Sequence, residues 1–205
     1  MQIRELIVPD SYEVTPRQLR DDRGVFLEWY RFDALEEQVG HAITLRQANT
    51  SVSRKNVVRG IHFADFPLGQ AKYVTAMSGA VLDFVIDIRV GSPTFGQWDS
   101  VLLDSEDRRA IYIGEGLGHA FVALTDEAIV SYLVSDVYNP TAEHGITPLD
   151  PEIGLEFPKG IEPLLSPKDV EAPTLAEARE TGLLPTWESA RAYYTTLNKA
   201  SGSLR

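Results

Sequence analysis

The sequence predicts an all-β protein, an antiparallel sandwich or barrel finished at its C-terminal end by short α-helices. Three observations lead there. Up to about residue 170, short segments rich in Val, Ile, Phe, Tyr and Thr recur with Gly, Pro, Asn or Asp between them. Within that stretch only DALEEQVG, near Phe32 to Gly40, resembles a helix. Beyond it the texture changes to capped, helix-forming sequence. A chain of 205 residues can bury one substantial core. We therefore expect a β domain over residues 1–170 and a helical extension over 171–205 packed on it.

In chain order the candidate strands are ELIVP, GVFLEWYRF, AITLRQANTSV, VVRGIHF, AKYVTAM, AVLDFVIDIR, DSVLLD, RAIYIG, GHAFVAL and AIVSYLVS. Their β-branched and aromatic residues suit a pleated, half-buried surface. Pro67 and Gly69 supply a turn between the fourth and fifth. After residue 170, Thr174 and Glu177 form a capping-box pattern, Gly182 can end that helix, and a second helix follows Pro185. In that second helix Trp187, Ala190, Tyr194 and Leu197 recur at spacings of three and four, giving an apolar stripe that packs on the β domain. The terminal SGSLR is expected to fray.

Composition excludes several classes. A net charge of -11 and a pI near 4.8 oppose binding to a phosphate backbone, and no basic patch offsets them, so nucleic acid is not a partner. No apolar run approaches the ~18 residues of a membrane span. Arg4, Glu5 and Asp10 interrupt what a signal peptide would need, and cysteine is absent, so the protein reads as cytoplasmic.

The stretch VVRGIHFADFPLGQAKYV carries Arg59, His62 and Lys72 inside two strands, and GLGHAF carries His119. A half-buried strand must solvate such a group or give it a partner. Singly, each histidine suits a hydrogen-bonded core position. Together, His62, Lys72, Asp83, His119 and Tyr132 would line one cavity if a barrel closes around them, supplying a base, an acid and a cation. Arg59 faces away from His62 in a regular pleat because their separation is odd. Gly60 between them could mark a bulge that realigns the two.

The motifs RGIHF, QAKYV, DIRVGSPTFGQW, GHAFVAL and YNPTAEHGI occur in order, with DDRGVFLE, RQANTS and LSPKD as further matches. Over about residues 1 to 170 the chain thereby resembles the dTDP-4-keto-6-deoxyglucose 3,5-epimerases. Within them it is similar to the antibiotic deoxysugar branch, including the carbon-5 epimerase of epivancosamine-type sugars. The resemblance implies a cupin-like antiparallel β-barrel, or jelly roll, assembled as a homodimer and using neither metal nor organic cofactor. It implies His62 as general base, Asp169 as the carboxylate that orients it, and Tyr132 as proton donor on the opposite face. Lys72 corresponds to the cation near the keto oxygen, and His119 and Asp83 to polar groups of the same pocket. Arg59, Gln47 and Asn49 correspond to nucleotide-sugar contacts, and Tyr138 to a residue holding the nucleotide end. Arg23, Phe26 and Glu28 correspond to residues delivered by the neighbouring subunit. Leu133 and Pro148 depart from the family pattern, where Lys and Trp are common, and bear on the substrate more than the reaction.

The implied chemistry needs such a set. A hydrogen beside a ketone becomes acidic only when the enolate oxygen is stabilised, and a lysine offers charge there. An imidazole titrates near ~6.5 and accepts a proton at neutral pH, whereas a phenol titrates near ~10 and remains a donor. Arginine matches diphosphate oxygens with paired hydrogen bonds. The expected reaction is inversion at carbon 5 of a dTDP-4-keto-6-deoxy sugar, with carbon 3 left open as a second centre. A metal-dependent cupin such as a dioxygenase, with His62 and His119 as ligands, is one alternative; His41 and His144 fall in helix-end and loop segments. A noncatalytic sugar-nucleotide binding module is the other.

Overall fold

The computed structural model describes residues 1–67 and 69–202. The chain runs through β1 (Gln2–Glu5), β2 (Ser11–Thr15), β3 (Gln18–Asp21), β4 (Gly24–Leu27) and α1 (Phe32–Val39). Then follow β5 (Gln47–Ser53), β6 (Val58–Ala64), β7 (Lys72–Ser78), β8 (Ala80–Ile86), β9 (Trp98–Asp104) and β10 (Ala110–Ile113). It closes with β11 (Gly118–Ala123), β12 (Ala128–Val134), β13 (Glu143–Gly145), α2 (Pro167–Val170), α3 (Leu175–Glu180) and α4 (Trp187–Gly202).

One sheet has the order β1-β2-β10-β7-β12-β5 and the other β13-β6-β11-β8-β9, all antiparallel, with β3-β4 as a separate hairpin. The closed barrel expected from the sequence is not formed. β1 and β5 edge one sheet, β13 and β9 the other, and among the described residues no ladder joins them. Closure would require hydrogen-bonded register between those edges. Burial instead brings the sheets face to face, since Val74, Ala76, Ile111 and Val130 of the first share a core with Val81, Val85, Val101 and Phe121 of the second.

Alternation then sorts the other side chains. Phe63, Phe84, Ala120 and Val122 face outward from the five-stranded sheet, where Ile146, Ile153, Leu175, Ala178 and Leu184 cover them. Val14, Tyr73, Ala110 and Tyr112 face outward from the six-stranded sheet under Leu35 of α1. α1 ends where Gly40 adopts φ 87° and donates its N–H to the Glu36 carbonyl at 2.8 Å. The capping box of Thr174 and Glu177 starts α3 as the sequence indicated. On α4, Ala190 and Tyr194 are buried, and Tyr194 stacks on His41. Arg89, fully buried, bonds Asp87 and Asp10, and Asp10 also binds Arg191, so this helix is tied to the sheets by charge as well as packing.

Some elements differ from the sequence reading. ELIVP is a turn between β1 and β2, although Leu6 and Val8 are buried there as a strand pattern would suggest. β2, β3, β13 and α2 lack a long apolar alternation and were not anticipated. Of the expected frayed end, Ser201 and Gly202 belong to α4, and residues 203–205 lie outside the described residues.

Glu115 is buried where the Tyr194 hydroxyl donates to its backbone carbonyl at 3.0 Å. Burial pushes its carboxyl from 4.5 up to about 7, against hydrogen bonds that favour the ionised form. Because the folded value is the higher one, its stabilising effect is complete below pH 4.5 and is lost as pH rises to about 7. Glu115→Gln should therefore gain stability over the natural protein across that window, by roughly 3 kcal/mol at pH 8. Denaturant unfolding at pH 4.5 and pH 8 measures this, and an unchanged difference between the two would contradict it.

Candidate active site

Between the sheets, inward positions change from apolar to polar, and a cavity of about 410 Å³ opens there. β6 and β11 build one wall. His62 and His119 are direct cross-strand partners, but the next matched pair is Arg59 with Phe121. Three steps on β6 therefore span two on β11, so β6 carries one extra residue. Gly60 lies in this bulge at φ 117°, where a Cβ would stand 2.4 Å from the His119 carbonyl oxygen. The extra residue reverses the parity of the strand, and Arg59 and His62 both reach the cavity.

β7, β12 and β5 build the facing wall, placing Lys72, Tyr132, Gln47, Asn49 and Ser51 inward. Tyr132 pairs with Asn49 across the ladder. Residues 164–169 close one side, because Ser166 caps α2 and its hydroxyl donates to Asp169 Oδ2 at 2.8 Å.

Asp169 Oδ1 is 2.7 Å from His62 Nε2. Burial works to raise this carboxyl, but His62, Ser166 and nearby Lys168 together hold it below the usual range. A carboxylate can only accept, so Nε2 carries the hydrogen and Nδ1 is left with a lone pair. His119 Nε2 lies 3.0 Å from both Asp83 oxygens. Arg59 Nε donates to Ser53 Oγ at 3.1 Å, joining the two sheets at the cavity. Burial pushes the Lys72 ammonium down, while Glu143 and Asp83 pull it up. Tyr132 is raised by burial and then by Glu143, against Arg59 and Asn49, so its phenol remains protonated beyond the ordinary range. The arrangement offers a carboxylate-backed base on one wall and a cation with a phenol on the other, which suits proton transfer at a carbon held between them.

Residues 5–177 match the family described as dTDP-4-dehydrorhamnose 3,5-epimerase. A Mycolicibacterium smegmatis dTDP-4-dehydrorhamnose 3,5-epimerase is 53% identical over 199 residues, covering 97% of this chain and 98% of its own. A Streptomyces niveus dTDP-4-dehydrorhamnose 3-epimerase is 52% identical over 204 residues, covering 100% and 98%. The crystal structure of NovW, a 4-keto-6-deoxy sugar epimerase from the novobiocin biosynthetic gene cluster of Streptomyces spheroides, superposes with a TM-score of 0.90 at 54% identity, covering 92% of this chain and 94% of NovW. The chain belongs to the dTDP-4-dehydrorhamnose 3,5-epimerase family.

Of the positions that the resemblance to these epimerases singled out, the fold brings His62, Asp169, Tyr132, Lys72, His119, Arg59, Gln47, Asn49 and Tyr138 to one cavity. Asp83 is a correction. It does not line the cavity but is wholly buried behind His119, because its register on β8 sets it below the imidazole. Arg23, Phe26 and Glu28, expected to serve a neighbouring subunit, lie on or just after the β3-β4 hairpin, with the Arg23 side chain 90% and Phe26 67% exposed. Leu133 packs on the outer face near Tyr73, and neither it nor Pro148 reaches the cavity. Glu143, Gln70, Ser51, Ser166 and Lys168 line it without having been singled out. LSPKD held the only hint of two of them, as a Ser-Pro start to a short capped turn.

Gly60→Ala tests the bulge. A Cβ would meet the His119 carbonyl and Ala120 at a backbone angle that side chains disfavour. The variant should lose on the order of 3 kcal/mol of stability in thermal unfolding. Wild-type stability would show that β6 accommodates a side chain there.

Proposed function

We propose that this protein inverts carbon 5 of a dTDP-4-keto-6-deoxy sugar by moving one proton out through one sheet and another in from the facing sheet. The observation that carries this is the opposition of the His62–Asp169 pair to Tyr132 and Lys72 across one cavity. The carbon–hydrogen bond breaks as His62 Nδ1 takes the proton, and its electron pair passes to the 4-keto oxygen. The Lys72 ammonium, which makes no hydrogen bond or ion pair among the described residues, stabilises that oxygen. Asp169 stabilises the imidazolium, Tyr132 protonates the other face, and solvent resets both groups. The names of the relatives, which place inversion at carbon 3 or at carbons 3 and 5, extend the reading to carbon 3 and give no support to action at carbon 5 alone.

Arg59, Gln47, Asn49 and Lys168 suit the diphosphate and sugar, and exposed Tyr138 suits the base of the nucleotide. The exposed aromatic ring of Phe26 beside Arg23 and Glu28 supports delivery of this hairpin to a second copy, in a cytoplasmic homodimer. Two facing antiparallel sheets around a polar cavity support the cupin-like jelly roll.

The test uses a dTDP-4-keto-6-deoxy sugar in deuterated water, read by NMR at carbons 3 and 5. His62→Asn should cut both deuterium entry and inversion by ~100-fold to 10,000-fold. Tyr132→Phe should leave deuterium entering carbon 5 with little inversion. Brisk exchange in the first variant, or normal inversion in the second, would refute these roles. A protein that only binds would exchange nothing, and a metal enzyme would lose activity to a chelator.

Folded monomers test the hairpin. Interface variants that separate the copies should bind dTDP more weakly, and full-strength binding would remove the shared site.

A further inference from the structure

β12 lies between β7 and β5, and its ladder with β7 ends at Val134 opposite Lys72. The chain nevertheless continues in place beyond that end. Ser135 accepts from the Ala71 N–H at 2.8 Å through its hydroxyl and donates its own N–H to the Ala71 carbonyl at 3.1 Å. One residue further, the bonding passes to side chains. Gln70 Nε2 donates to the Asp136 carbonyl at 3.1 Å. From the opposite neighbour, Gln47 Oε1 accepts from the Tyr138 N–H at 3.0 Å. Val137 and Tyr138 are 48% and 58% exposed, so packing does little to hold this segment.

We propose that Gln70 is a positioning residue for nucleotide recognition, acting through the Asp136–Tyr138 segment. Its amide and that of Gln47 extend the two neighbouring strands by one side chain each and clamp the segment from both sides. Tyr138 thereby meets the nucleotide already ordered, and the entropy of fixing it is not deducted from binding. Gln70 lines the cavity, yet the side-chain hydrogen bond it makes among the described residues goes to backbone. Gln47 shares its amide with Asn49 at 2.7 Å, so the β5 side of the clamp is itself braced. The inference rests on the reading of Tyr138 as the nucleotide-end contact.

Calorimetric titration with dTDP, alone and in a double-mutant cycle, tests it. Gln70→Met keeps the length of the side chain and removes the donor; it should weaken dTDP binding about 3- to 10-fold and raise KM similarly, with kcat changed less than about 2-fold. Tyr138→Ala should weaken binding more. The double variant should bind no worse than Tyr138→Ala alone, because the clamp has nothing left to order. Gln70→Glu, similar in size but facing the carbonyl with an acceptor, should behave as Gln70→Met and replaces it if that variant fails to fold. If Tyr138→Ala binds dTDP normally, the reading of Tyr138 fails. If Tyr138→Ala is weakened while both Gln70 variants bind normally, the positioning role fails. Additive losses would make Gln70 a direct ligand contact, and a fall in kcat with unchanged affinity would make it merely structural; either overturns the proposal.

Discussion

The connection from Ala64 to Lys72 leaves one sheet and enters the other, and the site depends on that crossing. β6 and β7 are consecutive, yet they belong to facing sheets. His62 and Lys72, ten positions apart in the sequence, are thus set on opposite walls rather than side by side as a hairpin would hold them. A base and a cation adjacent on one face would serve one side of a substrate. Across a cavity they can address a proton and a ketone oxygen of a single molecule from different directions, which inversion requires.

How much could be read from the sequence followed from the physics of each element. β7, β8 and β11 were evident because both their faces are largely buried, and β12 because its half-buried positions still carry Ile, Tyr and Leu, which leaves dense apolar runs. β2, β3 and β13 were not, since they are three to five residues long and carry Ser, Glu, Gln, Arg, Asp or His in place of an apolar run. The bulge at Gly60 was legible because parity conflicted with chemistry at Arg59, and a glycine stood where the conflict could be relieved. The strand pattern left sandwich and barrel open, the closed barrel came with the family resemblance, and of the two the facing antiparallel sheets are what the fold forms. Alternation gives the inside and outside of each strand but carries no information on whether edge strands meet.

The same limit explains Asp83. Its parity is inward, as expected, so periodicity alone groups it with the cavity residues. Depth along the strand separates them: Asp83 stands opposite Phe121 rather than His119, and the imidazole lies between it and the open space. Glu143 escaped notice for the opposite reason. It sits on a three-residue edge strand, Glu-His-Gly, with no apolar alternation to mark an inward face, although it acts on both Lys72 and Tyr132.

Polar burial on this scale is costly unless each group is satisfied, and the cavity shows how the fold meets that cost. His62 has Asp169, His119 has Asp83, Arg59 has Ser53 and Gln47 has Asn49, all fixed before any substrate arrives. Such groups need little reorganisation when charge develops, which is the source of electrostatic rate enhancement. The Ser51 hydroxyl is a neutral exception among the described residues, and Lys72 is the charged one. Its ammonium is buried with its charge favoured by Glu143 and Asp83 but has no hydrogen-bond partner among the described residues. An ammonium held in that way gains more from a new negative oxygen than from a neutral carbonyl, because the attraction grows with charge in a poorly solvated site. Its gain is therefore greater in the enolate than in the ground state, and only such a difference accelerates a reaction. An acidic protein thus keeps Arg59, Lys72 and Lys168 beside Glu143 and Asp169 between its two sheets, where inward positions no longer need to be apolar.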